Sequence, residues 1–133
     1  MPLMGGEPRN FLGGTAVNVA WSPDGTRMAY HTRDPGDPIF VADRTGANAR
    51  RIFINQQPGL HNHYPAWSQD GRWIYFVRGS PSTNEMDIWR IPPAGGTPER
   101  LTQHNNEVAY PAPIDLRTVL YVAREEDGSG PWL

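Results

Sequence analysis

The chain contains no cysteine, which removes disulfides, thiolate nucleophiles and zinc-thiolate centres but leaves the cellular compartment open. No apolar run approaches the roughly 18 residues of a membrane-spanning helix. Met1 to Leu12 has neither the charged start nor the apolar centre of a signal peptide. Twelve basic and fourteen acidic residues give a formal net charge of −2 with no basic cluster, so nothing in the chain attracts a nucleic-acid backbone. There is no Gly-x-Ser-x-Gly elbow and hence no sign of a hydrolase nucleophile. Gly95-Gly96-Thr97-Pro98 leads into a strand, not a helix, so it is a turn and not a phosphate loop.

What the chain has in quantity is 14 glycines, 14 prolines and a set of five Trp, five Tyr and four Phe. Short apolar runs punctuated by turn residues, with few stretches suited to helix, predict an all-β fold. Its 133 residues are enough for one hydrophobic core.

The pattern that organises the chain is Ala66-Trp67-Ser68-Gln69-Asp70-Gly71-Arg72-Trp73-Ile74-Tyr75-Phe76, a strand end, a tight turn and a second strand. Asp-Gly between two apolar runs is a strong hairpin signal, because glycine accepts the positive φ such turns require. Val19 to Tyr30 is an earlier copy, and Trp21 and Trp67 stand 46 residues apart. A third copy lies 46 residues further on: Tyr110-Pro111-Ala112 matches Tyr64-Pro65-Ala66, and Tyr121 matches Tyr75. This copy is degenerate, with Pro113 in place of the Trp and Ile114-Asp115-Leu116-Arg117 in place of the Ser-x-Asp-Gly turn. The run Trp73 to Val77 is apolar at every position, which suits a strand covered on both faces. A period of 40 to 50 residues built of short strands predicts a β-propeller of four-stranded antiparallel blades.

On this period, residues 1–14 carry the outer strand of a preceding blade, 15–60 form blade 1, 61–106 blade 2 and 107–133 an incomplete blade 3. Expected strands are Val17 to Trp21, Arg27 to Thr32, Ile39 to Ala42 and Arg50 to Ile54 in blade 1. Blade 2 has Tyr64 to Trp67, Trp73 to Arg78, Asp87 to Ile91 and Glu99 to Leu101. Blade 3 has Ala109 to Ile114, Thr118 to Ala123 and the start of a third strand at Pro131. Arg33 to Pro38 and Asn55 to Asn62 read as loops, and Glu125 to Gly130 as an acidic turn.

The run Ala-Trp-Ser-Pro-Asp-Gly, followed by Asp87-Ile88-Trp89-Arg90-Ile91 and Gly95-Gly96-Thr97-Pro98-Glu99-Arg100-Leu101-Thr102, resembles the WD40-like propeller repeat of the TolB C-terminal type. The resemblance implies a ring of six blades in most members. It is specific for fold and weak for function, since such propellers occur in envelope proteins, in peptidases as non-catalytic domains and in regulators.

Trp21, Asp24, Gly25, Trp67, Asp70 and Gly71 read as structural repeat residues. The tryptophans should pack between blades, and the aspartates should hold the turns through backbone hydrogen bonds. Candidate ligand-binding residues are His61, His63, Tyr64, Glu107, Tyr110 and Asn18. His61-Asn62-His63-Tyr64 directly precedes an inner strand, where propeller loops gather at the mouth of the central channel. Asn18, Tyr64 and Tyr110 are equivalent in the period, as are His61 and Glu107, so a polar ring can form. Two imidazoles suit a metal or an anion, but a metal site needs three or four converging ligands and the sequence supplies two neighbours. No catalytic residue, metal or cofactor is therefore assigned. His31 and His104 stand alone and read as satisfied polar residues. Asp43 to Asn48 looks like half of a calcium loop without its closing Glu, and reads as a turn.

The expected role is a non-enzymatic scaffold that binds a protein or small ligand through loops at the channel mouth. The competing expectation is a propeller enzyme of carbohydrate lyase or hydrolase type using His61, His63, Tyr64 and Glu107, because some TolB-like propellers resemble lyases with channel histidines. Three units make half of a six-bladed ring, so a homodimer joined head to tail is expected. The N-terminal strand Pro8 to Leu12 would complete the partner's last blade, and an open oligomer would form if the rotation does not close.

Overall fold

A computed structural model describes Leu12, residues 14–83, 85–104 and 106–124, and the backbone of 131–132. The expected outer strand at Pro8 to Leu12 and the acidic turn at Glu125 to Gly130 lie outside the described residues, apart from Leu12.

The described chain is all-β. The first sheet is a four-stranded antiparallel meander of β1 (Ala16–Trp21), β2 (Arg27–Thr32), β3 (Ile39–Asp43) and β4 (Arg50–Phe53). The second repeats it with β5 (His61–Trp67), β6 (Ile74–Ser80), β7 (Glu85–Ile91) and β8 (Glu99–Arg100). The third pairs β9 (Val108–Pro113), β10 (Val119–Arg124) and β11 (Pro131–Trp132). Among the described residues one 3-10 turn, Pro81–Thr83, precedes β7.

The Ser-x-Asp-Gly turns form as the sequence requires. In the first, Ser22 Oγ donates to Asp24 Oδ1 at 2.7 Å and accepts from the Arg27 amide at 2.9 Å, while the Thr26 amide donates to Asp24 Oδ1 at 3.0 Å. The second repeats these bonds through Ser68, Asp70, Trp73 and Arg72. Gly25 and Gly71 adopt φ of 70° and 69°, where a side chain would be strained. Asp115 accepts from the Arg117 and Thr118 amides at 2.7 and 2.8 Å. The degenerate third turn thus keeps the aspartate's job after losing the glycine.

The sheets stack face to face. Ile74 and Phe76 of β6 point into one core with Ala29, Ile39, Val41 and Ile52 of the first sheet, joined by Trp67 and Ile91. Tyr75 and Val77, the alternate residues of the same strand, point into a second core with Met86, Ile88 and Val108, flanked by Val119 and Tyr121 of the third sheet. That two-sided burial explains the uninterrupted apolar run, because period-2 alternation assigns each residue from Ile74 to Val77 to one core or the other.

One tryptophan departs from the expectation. Trp67 is 7% exposed, donates its indole N–H to the Ala20 carbonyl at 3.1 Å and carries the Arg27 guanidinium over its ring at 4.8 Å. Trp21, expected to be a second spacer, is 51% exposed. Its ladder partner Met28 belongs to the core on the side of the first sheet away from the second.

Candidate functional site: the seam between the first two sheets

The inner strands β1, β5 and β9 lie side by side, and each carries the same irregularity. Ladder pairing skips between Val17 and Ala20, between His63 and Ala66, and between Ala109 and Ala112, so two residues oppose one on the neighbouring strand. The first bulged residue is Asn18, Tyr64 or Tyr110, with φ of 52°, 55° and 53°. The second is Val19, Pro65 or Pro111, and proline is tolerated there because bulged positions need no ladder donor. A left-handed φ costs a tyrosine about 1 kcal/mol or more, whereas asparagine adopts it readily. A bulge re-aims the side chain it carries, and here it does so at the three positions that share one place in the period.

Histidines 61 and 63 belong to β5 itself. The loop expected over Asn55 to Asn62 stops at Leu60, and the inner strand starts at His61, three residues before the expected Tyr64. The reason is register: His61, Asn62 and His63 pair with Gly79, Arg78 and Val77 of β6. Gly79 permits the close approach of the next strand on its other side, since a Cβ there would lie 1.8 Å from the Glu85 carbonyl oxygen.

The loop between β2 and β3 brings Asp37 onto these histidines. His61 Nδ1 lies 2.6 Å and His63 Nε2 3.5 Å from Asp37 Oδ2. Asn62, 0% exposed, locks the loop by donating its amide to the Asp37 carbonyl at 2.9 Å and the Gly36 carbonyl at 3.3 Å. Asn55 donates to the Gly36 carbonyl as well. Gly36 is required at φ 86°, because a Cβ would meet the Asn55 oxygen at 2.8 Å. Asp37 itself holds φ 41°.

His31, isolated in the sequence, joins the group. Its ring stacks on His63 at 5.2 Å, and its Nε2 bonds Asn18 Oδ1 at 2.8 Å. Burial holds both His31 and His63 below the ordinary imidazole range, with the neighbouring imidazole adding to the effect in each, while Asp37 opposes it. Tyr64 continues the row, edge-on to His63 at 5.6 Å and 4.3 Å from the Tyr110 ring. The hydrogen bond with Tyr110, then burial and the nearby charges, raise the Tyr64 hydroxyl above its usual range. Of the six sequence candidates, five therefore form one connected row. Glu107 touches it only through its charge on Tyr64, and its carboxylate lies 3.5 Å from Arg124.

His104, the other lone histidine, bonds the Tyr121 hydroxyl at 2.7 Å and donates its amide to Asp87. It lines a cleft of about 390 Å³ with Arg78, Trp89 and Arg100. Arg100 is paired with Asp87 at 2.5 Å, and Arg78 lies over the Phe53 and Trp89 rings. The turn from Asp43 to Asn48 closes on itself through Asn48 Nδ2 donating to Asp43 Oδ2.

Sequence reasoning missed Asp37, His31 and the buried role of Asn62. For His31 a signal existed: its equivalents in the period are Val77 and Ala123, so a histidine stands where the other repeats place an apolar residue. His63 likewise replaces Val17 and Ala109. Asp37 had no periodic signal.

No protein-family model matches the chain. An uncharacterized protein of Agrobacterium fabrum is 31% identical over 131 residues, covering 96% of this chain and 43% of that protein. The Tol-Pal system protein TolB of Thioalkalivibrio sulfidiphilus is 39% identical over 71 residues, 50% of this chain and 16% of that one. Among solved structures, a TolB-like protein from Agrobacterium tumefaciens superposes with a TM-score of 0.62 at 27% identity, covering 88% of this chain and 48% of that chain. The chain thus spans less than half the length of these relatives.

Proposed function

Starting from a chain that carries the TolB-type β-propeller fold, we propose that it is a non-enzymatic binding module that takes a protein segment or a small ligand at the channel mouth. The supporting observation is the continuous polar and aromatic row Asn18, His31, His63, Tyr64 and Tyr110, which crosses all three inner strands and ends in a tyrosine that is 61% exposed. Such side chains offer an apolar face and a polar edge with little rotamer entropy to lose. Titrating isotope-labelled protein with oligogalacturonate and with short peptides tests the reading. Shifts should centre on Asn18, Tyr64 and Tyr110 and vanish in Tyr110→Ala, whereas shifts centred elsewhere, or none with either probe, overturn it.

One observation favours a second reading, a carbohydrate lyase or hydrolase. Asp37 hydrogen-bonds His61 at 2.6 Å, an arrangement that orients an imidazole for proton transfer. Unsaturated-uronate absorbance appearing on incubation with oligogalacturonate, and lost in His61→Gln, would establish that reading.

The ring itself is part of the proposal. Val19 on the first sheet, Ile114 and Leu116 in the turn after β9, and Leu120 on β10 are exposed large apolar side chains, of the kind that marks association surfaces. A second copy covers them in a head-to-tail homodimer, with an open oligomer as the alternative. Light scattering should give twice the 14.9 kDa of one chain, and a stable monomer would refute it. Among the described residues no helix is long and apolar enough to cross a membrane.

A further inference from the structure

We propose that Asp37, His61 and His63 form a binding site for a divalent transition-metal ion of the zinc type, with the fourth coordination position left for water or a donor atom of the bound ligand. The proposal rests on the reading of the channel mouth as a binding site and adds the chemistry by which a ligand is held there.

Three observations carry it. The first is convergence. One oxygen and two imidazole nitrogens lie within 4.8 Å of one another. A tetrahedral ion with bonds of about 2.0–2.2 Å holds its donors roughly 3.3–3.5 Å apart. The gap of 3.5 Å between Asp37 Oδ2 and His63 Nε2 already matches that. The 2.6 Å separation of Asp37 Oδ2 and His61 Nδ1 is that of a hydrogen bond, and an ion replacing the shared proton needs to open it by less than an ångström.

The second is charge. Asp37 is 8% exposed, and its ion-pair partners among the described residues are His61 and His63 alone. A buried carboxylate is costly unless a cation stands beside it. A neutral imidazole supplies no such charge. A divalent ion supplies the charge and uses the neutral ring's lone pair.

The third is rigidity. Asn62 clamps both carbonyls of the Gly36-Asp37 peptide segment, His31 stacks behind His63, and the bulge after His63 fixes the turn of β5. The donors are held in place before an ion arrives, so little ordering entropy opposes binding. Two imidazoles and one carboxylate select zinc and its neighbours over magnesium or calcium, which prefer all-oxygen sites.

Calorimetric titration of metal-stripped protein with zinc chloride tests this without any ligand. Wild type should bind one ion per chain with a micromolar or tighter dissociation constant. Asp37→Asn and His63→Ala should each weaken it by at least about tenfold, while His104→Gln leaves it unchanged. Circular dichroism of each variant verifies the fold, and cobalt as a second probe should give the intense visible absorption of a four-coordinate site in wild type only. No binding by wild type, or affinity undiminished in both folded variants, overturns the proposal. Because the ion is added alone, that failure leaves the ligand-shift experiment to decide the binding-module reading separately.

Discussion

The first two sheets carry the same turn in different surroundings. Ser22 with Asp24 and Ser68 with Asp70 make the same hydrogen bonds, and the two turn glycines differ by one degree in φ. Yet Trp67 is buried against the neighbouring sheet and Trp21 is half exposed. Local turn chemistry follows from the residues of the turn, and burial follows from what stands next to it. A repeat sequence encodes the first fully and the second only through its position in the stack.

The largest expected effect breaks this comparison at the tryptophans. Trp67→Ala should cost about 3–5 kcal/mol, as for other large buried aromatics, and Trp21→Ala about 1 kcal/mol or less. Urea midpoints of the two variants measure the difference. Equal losses would show that Trp21 is as fully packed in solution as Trp67.

The glycines should behave in the opposite way. Gly25→Val and Gly71→Val each force a β-branched residue into the left-handed region, at about 1–2 kcal/mol. Open space surrounds both Cβ positions, so strain alone acts and the two thermal midpoints should fall by similar amounts. A much larger fall for one would place a tertiary contact at that turn.

A smaller effect should appear in acid. Hydrogen bonds from Ser22 and Thr26 hold the Asp24 carboxyl down at about 2, and Ser68 and Arg72 lower Asp70 in the same way. Both values lie below those of the unfolded chain, near 3.9. The contribution to stability is therefore present above about pH 4 and is lost as pH falls through the folded-state values. Asp24→Asn combined with Asp70→Asn should flatten the urea midpoint against pH over that window. An unchanged slope would mean that the turn bonds do not persist in solution.

These contrasts also explain what could be read from residues alone. The blade strands and turns were legible because Asp-Gly and the apolar run Ile74 to Val77 are local signals with a physical cause. The shared position of Asn18, Tyr64 and Tyr110 was legible from the period, but the bulge that re-aims them was not, since its residues here are not glycine. Asp37 was illegible for a different reason. Its loop residues read only as turn formers, and their place beside His61 depends on how one sheet stacks on the next. His31 and His63 show the middle case, where histidines at otherwise apolar positions of the repeat stand out without revealing Asp37 nearby.

The seam between the two sheets is the core of this account, and a crystal of the zinc-soaked protein tests it most directly. Anomalous density should appear about 2 Å from Asp37 Oδ2, His61 Nδ1 and His63 Nε2, with the β2 to β3 loop folded onto β5. A map in which Asp37 faces away from the histidines, or in which zinc binds elsewhere, would contradict it.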